Sequence, residues 1–188
     1  SSANCVDYGN DNVWRRTIVD GGHAMWLDLA ASCGSLHFQN NLVRARYGTD
    51  FALVPNALPV DLFITNNTFI NADLAWAAVE FIVAEDVGSS RVHFSNNIVW
   101  NNGSIDVGVN PDISAIPDFR AWNNTWGANV VPISEGGGNS TLDPQLDGNG
   151  RPIVPGSPAI NSGRNDPQGG LPAVDIVGSP RLIGSAVD

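Results

Sequence analysis

Three histidines, nine arginines and sixteen aspartates carry whatever ionic or proton-transfer chemistry this 188-residue chain performs, because it has only three glutamates and no lysine. Their spacing sorts several of them into rows. His37, Phe63, His93 and Arg120 recur at equivalent places in four similar segments, and Gln39, Thr65, Ser95 and Trp122 recur two residues later. An aromatic ring beside a cation can hold a sugar ring by stacking and an acidic substituent by charge. His37, Phe63, His93, Arg120 and Trp122 are therefore the candidate ligand-binding residues. The competing reading is ordinary decoration of a solvated face, since exposed His and Phe are common singly.

No catalytic set emerges beside them. A uronate lyase needs a base for the proton next to the carboxylate and a cation to neutralise that carboxylate. Without lysine, Arg44, Arg46, Arg91 and Arg120 remain, and the high pKa of arginine makes a base role costly. His37 and His93 stand two repeats apart, roughly 10 Å by strand spacing. Asp61, Asp73, Asp86 and Asp106 do not share equivalent repeat positions, so no calcium row forms. Asp20-Gly21-Gly22-His23 and Asp147-Gly148-Asn149-Gly150 read as turns, the second lacking the spacing and final Glu of a calcium loop. Two cysteines and three histidines show no zinc spacing. The expectation is no metal, no cofactor and no assigned catalytic residue.

The elements that would position these residues come from a repeat. Leu36-His37-Phe38-Gln39-Asn40-Asn41-Leu42-Val43 is echoed at Leu62–Phe69, Val92–Val99 and Phe119–Trp126, with a fainter copy at Asn10–Trp14. The second polar residue of each pair falls at Asn12, Asn41, Asn67, Asn97 and Asn124, at spacings of 29, 26, 30 and 27. Each segment alternates apolar and polar residues up to the Asn pair, as a half-buried strand does. Asn tolerates the left-handed region, so the pair marks a turn. A strand–turn–strand unit this short cannot bury its apolar face alone, whereas stacked copies can. Leu36, Leu62, Val92 and Phe119 would form one internal stack, and Phe38, Ile64, Phe94 and Ala121 another. The five Asn would form a polar ladder at the corner. The alternative is a β-sandwich, but its hairpin signals appear only at Asn102-Gly103 and Asn149-Gly150. The sequons at Asn66, Asn102, Asn123 and Asn139 partly coincide with these corners, so folding explains them without glycans.

The fold expected from the repeat is all-β, a solenoid of about five coils over residues 1–131. Residues 132–188, rich in Gly, Pro and Ser, form an irregular tail that packs on the last coil and covers it. Cys5 and Cys33 are one period apart and would meet on adjacent coils within disulfide range. Pairing implies an oxidising compartment, and two free buried thiols are the alternative. Nothing before Cys5 is long enough to cap the first strand edge, so that edge is expected to be covered from outside the chain. Upstream sequence, a second copy or another subunit would each serve.

These corners resemble those of the right-handed parallel β-helix repeat proteins that bacteria secrete, a group that includes polysaccharide lyases. The tail is similar to the C-terminal segment of large extracellular β-helix proteins. That likeness rests on Asp143-Pro144-Gln145-Leu146, Gly156-Ser157-Pro158-Ala159-Ile160-Asn161-Ser162-Gly163 and Asp175-Ile176 with Gly178-Ser179-Pro180-Arg181. The resemblance implies that the solenoid of residues 1–131 is a right-handed parallel β-helix, and with it secretion or a cell-surface location and an outer strand face that takes extended sugar chains. The polygalacturonase signatures Asn-Thr-Asp, Asp-Asp, Gly-His-Gly and Arg-Ile-Lys are absent. One functional expectation is a noncatalytic extracellular module that binds polysaccharide or a protein neighbour. The other is a lyase or glycoside hydrolase acting on acidic polysaccharide.

Composition narrows the partners. Apolar residues make up 43% and the net charge is −10. A chain this acidic cannot neutralise a nucleic-acid backbone or an anionic membrane surface. No apolar run reaches the roughly 18 residues of a membrane span.

Overall fold

The computed structural model describes residues 2–4, 11–21, 25–29, 35–53, 61–73, 75–83, 90–103, 105–109, 118–127, 130–153, 155–183 and 186–187. Among them there is no helix, and all but the last two strands fall into three parallel sheets. Sheet A contains β1 (Ser2–Asn4), β4 (Met25–Leu29), β7 (Thr49–Leu53), β10 (Val79–Val83) and β13 (Val107–Val109). Sheet B contains β2 (Asp11–Arg15), β5 (Ser35–Gln39), β8 (Asp61–Thr65), β11 (Arg91–Ser95), β14 (Asp118–Trp122) and β16 (Glu135–Gly137). Sheet C contains β3 (Ile18–Gly21), β6 (Leu42–Ala45), β9 (Thr68–Ile70), β12 (Ile98–Trp100) and β15 (Thr125–Trp126). Through β15 the chain visits A, B and C in turn, so each strand pairs with the strand three places on. This recurrence is compatible with a parallel β-helix. A short antiparallel pair, β17 (Leu182–Ile183) with β18 (Ala186–Val187), lies in the tail.

Alternation decides which side chains point in. In sheet B the register sets Leu36 beside Leu62, Val92 and Phe119, and Phe38 beside Ile64, Phe94 and Ala121. All eight are buried. Rings from the three sheets meet between them: Phe38 of sheet B lies 5.5 Å from Phe51 of sheet A and 6.0 Å from Phe69 of sheet C. One apolar core thus joins the sheets, held by area burial and by offset ring contacts.

The turn from sheet B to sheet C is the same in each repeat. Arg16, Asn40, Asn66, Asn96 and Asn123 all have φ between 54° and 59°, a conformation that Asn accepts at less cost than most residues. The residue that follows builds a ladder. Asn67 Nδ2 donates to Asn97 Oδ1 at 3.0 Å and to the Phe38 carbonyl at 2.8 Å, while its Oδ1 accepts from the Asn41 backbone N–H and side chain. Asn97 and Asn124 repeat the pattern. Asn139 extends it one step, donating to the Ala121 carbonyl and accepting from Asn124.

Two positions differ from the sequence reading. Asn12 lies within β2, paired with Leu36, so Thr17 rather than Asn12 holds the first ladder place and donates its N–H to Asn41 Oδ1. Sheet pairing also passes residue 131: β16 joins β14, and Ser140 bridges Thr125.

Candidate functional site

The expected ligand row exists as a line of neighbours on the outer face of sheet B. Strand register sets Val13, His37, Phe63, His93, Arg120 and Glu135 one above another. The His37 and Phe63 rings stack at 4.7 Å, and the Phe63 and His93 rings at 4.8 Å, the spacing of the strands themselves. His93 is buried, and His37, Phe63 and Arg120 are half-buried.

A charged row flanks the rings. Arg91 grips Asp61 through two hydrogen bonds of 2.7 and 2.8 Å, and Arg120 grips Asp118 at 2.6 and 2.9 Å. His93 Nε2 is 3.7 Å from Asp61 Oδ1, and Arg120 also faces Glu135 at 3.6 Å. The bond from Arg120 holds the Asp118 carboxyl below the usual carboxylate range. Burial holds His93 below the usual histidine range, with Asp61 opposing and Arg120 and Arg91 assisting. Its imidazole is therefore neutral at physiological pH. Arg91 and Arg120 are thus already tied to carboxylates.

The chain's own tail closes the other side of the face. Residues 162–174 run back along the B–C corner as a strap. Asn123 Nδ2 donates to the Ser162 carbonyl, Asn96 exchanges two bonds with the Arg164 backbone, and Asn40 Nδ2 donates to the Val174 carbonyl. Gln39 donates to the carbonyls of Gly169 and Gly170. Gly169 sits so close to Phe63 that a Cβ there would lie 2.7 Å from the ring, and its φ is +87°. The Arg164 guanidinium lies 5.2 Å from the Trp122 ring centre. Trp122, expected to meet a ligand, is thus covered by Arg164. His37, Phe63, His93 and Arg120 are brought together, with Phe63 partly roofed. The tail is draped along the repeats rather than confined to the last one.

The sequence reading missed a carboxylate pair on sheet A. Asp50 and Glu80 are register partners on the outer face of β7 and β10. Desolvation, helped by the Glu80 charge, raises the Asp50 carboxyl to about 6. Beside them the Trp76 ring, 41% exposed, lies over Gly108, the register neighbour of Glu80, where a Cβ would strike it. A spacing of one period between Asp50 and Glu80 was the available signal.

Cys5 and Cys33, the expected disulfide, lie outside the described residues. Among the described residues no group of three or more His, Cys, Asp or Glu could hold a metal ion, and no helix is long and apolar enough to cross a membrane. Comparisons with protein-family models, with curated proteins and with solved structures find no match.

Proposed function

We propose that the chain is a right-handed parallel β-helix, secreted or held at a cell surface, that acts as a noncatalytic polysaccharide-binding module. The observation that carries this reading is the ring stack His37–Phe63–His93, running in line with Arg120 on the outside of the six-stranded sheet. The half-buried His37 and Phe63 present ring edges along which a sugar chain can lie, and Arg91 and Arg120, each paired with an aspartate, keep further N–H groups for a uronate carboxylate. Affinity electrophoresis against neutral and uronate polysaccharides tests the sugar reading. Retardation by a uronate polymer is expected, weakened roughly tenfold or less by His37→Ala. Migration unaltered by every polymer would reject it.

A second reading has its own support. The raised Asp50 carboxyl beside Glu80 resembles the acid and base pair that a glycoside hydrolase needs. Exposed Trp76 offers a stacking platform next to it. Release of reducing ends that stops in Glu80→Gln would favour hydrolysis over simple binding.

A further inference from the structure

We infer that the cavity between sheet C and the two tail hairpins binds a small apolar anion. The site lies on a different face from the ring stack and does not depend on it.

The cavity measures about 450 Å³, the size range of small-molecule sites. Its floor is the outward row of sheet C, where Leu42, Thr68 and Ile98 are register neighbours. Two tail turns of identical construction roof it. In the first, Asp147 Oδ1 accepts the N–H groups of Asn149 and Arg151; in the second, Asp175 Oδ1 accepts those of Val177 and Ser179. Each turn carries a glycine at positive φ, Gly150 and Gly178, and closes on a bridge to proline, Leu146 to Pro152 and Val174 to Pro180. Gly150 is seated on the sheet: a Cβ there would lie 2.8 Å from Ile70 Cδ1 and 3.1 Å from Leu42 Cδ1. The turns are built by local bonding, so they stand without a ligand beneath them.

Two buried polar atoms on residues of the cavity wall lack partners, and both are closed to anything the size of water. Asn66 is 7% exposed, and its Oδ1 meets no donor among the described residues. Its equivalents Asn40, Asn96 and Asn123 each hold a strap carbonyl. The Nε of Arg44 is sealed from water with no acceptor, although the Arg44 Nη2 pairs with Asp20 at 2.7 Å. Neither atom is reached by a ligand lying in the cavity, so recognition there falls to the charge and the apolar surface of the wall.

Three of the nine arginines, Arg44, Arg151 and Arg181, line the cavity; Arg44 is paired with Asp20, and the one carboxylate among the lining residues, Asp175, has its Oδ1 occupied by its own turn. In a chain of net charge −10 this is a local positive site. Aliphatic side chains, Leu42, Ile98, Ile160 and Ile176 among them, supply the apolar contact.

The test uses 1-anilinonaphthalene-8-sulfonate, which has an apolar ring system and a sulfonate. Its fluorescence titrated with the full chain should saturate at one site per molecule. N-decanoylglycine should displace it, and decyltrimethylammonium should not. Thr68→Trp, which fills the floor, should weaken binding more than tenfold while leaving polysaccharide retardation unchanged. Arg151→Glu, an exposed substitution, should weaken it several-fold, and it carries the test alone if Thr68→Trp loses its native circular dichroism. Absence of saturable binding overturns the inference. So does unchanged affinity in both folded variants, or displacement by the cationic surfactant as readily as by the anion.

Discussion

Two neighbouring residues in each corner have opposite fates. The ladder residues Asn41, Asn67, Asn97 and Asn124 bond repeat to repeat and are almost wholly sealed from solvent. The residues just before them, Asn40, Asn66, Asn96 and Asn123, sit at positive φ and turn their carboxamides outward, three of them to the tail. The same side chain therefore does structural work along the axis at one position and docking work across it at the next. The difference comes from the backbone. The left-handed residue turns the chain from sheet B into sheet C, so its side chain leaves the corner while the next one enters it.

Breaking the inner row should cost most. Asn67→Ala leaves the Asn41 N–H and carboxamide, the Phe38 carbonyl and Asn97 Oδ1 each short of a partner. A loss of about 3–5 kcal/mol in urea unfolding is expected. In the outer row, Asn96→Ala removes two bonds to Arg164 and puts Ala at φ 57°. About 2–3 kcal/mol is expected, of which Asn96→Gly, free of the φ penalty, should recover about 1 kcal/mol. Both variants should quicken amide exchange in residues 160–170 before exchange in the sheets. Equal acceleration in both regions would mean that strap and sheets open together.

The outer faces of sheets A and B sharpen the contrast through pH. Asp50 has a folded pKa of about 6, above the roughly 4 of an unfolded aspartate, so the folded state holds the extra proton. Its contribution is favourable below about pH 4 and is lost as pH rises through about 6. Asp50→Asn should accordingly raise stability near pH 7 by about 1 kcal/mol, allowing for partial solvent exposure, with the gain vanishing near pH 4. His93 runs the other way. Its folded pKa lies below the unfolded value, so the folded state sheds the proton, and stability falls as pH drops through the ordinary histidine range. His93→Gln should flatten that limb. The smallest effect is expected at Asn66. Asn66→Gly keeps the left-handed turn and removes an unpaired buried oxygen, so stability should change by less than about 0.5 kcal/mol or rise slightly. A loss of 2 kcal/mol or more would show that Asn66 bonds the strap as its equivalents do.

The repeating part was legible because period and alternation are properties of side chains. Phe38, Ile64 and Phe94 point inward wherever the register sets them, and the Asn pairs mark the corners. Two ladder members escaped. Thr17 is not Asn, and Asn139 follows Asn124 after only 15 residues, because the last repeat is short. The strap was hidden for a different reason: Asn40, Asn96 and Asn123 bond its backbone carbonyls, which any sequence supplies. One signal did stand in the tail, the Asp-x-x-Gly-x-Pro pattern at Asp147–Pro152 and again at Asp175–Pro180, which builds the two matching turns. At the site, the His37–Phe63–His93 row was readable from spacing, but its partial covering by Gly169 and Arg164 required the path of the tail.

Nuclear Overhauser contacts in solution test the stacking most directly. The Asn67 carboxamide protons should show cross-peaks to the Asn41 backbone N–H and the Asn97 carboxamide, partners 26 and 30 residues away. The Asn97 carboxamide should reach Asn124 in the same way, 27 residues on. Cross-strand contacts in sheet B should be parallel throughout. Antiparallel contacts among residues 35–126, or Asn41, Asn67 and Asn97 each meeting unrelated neighbours, would contradict the account.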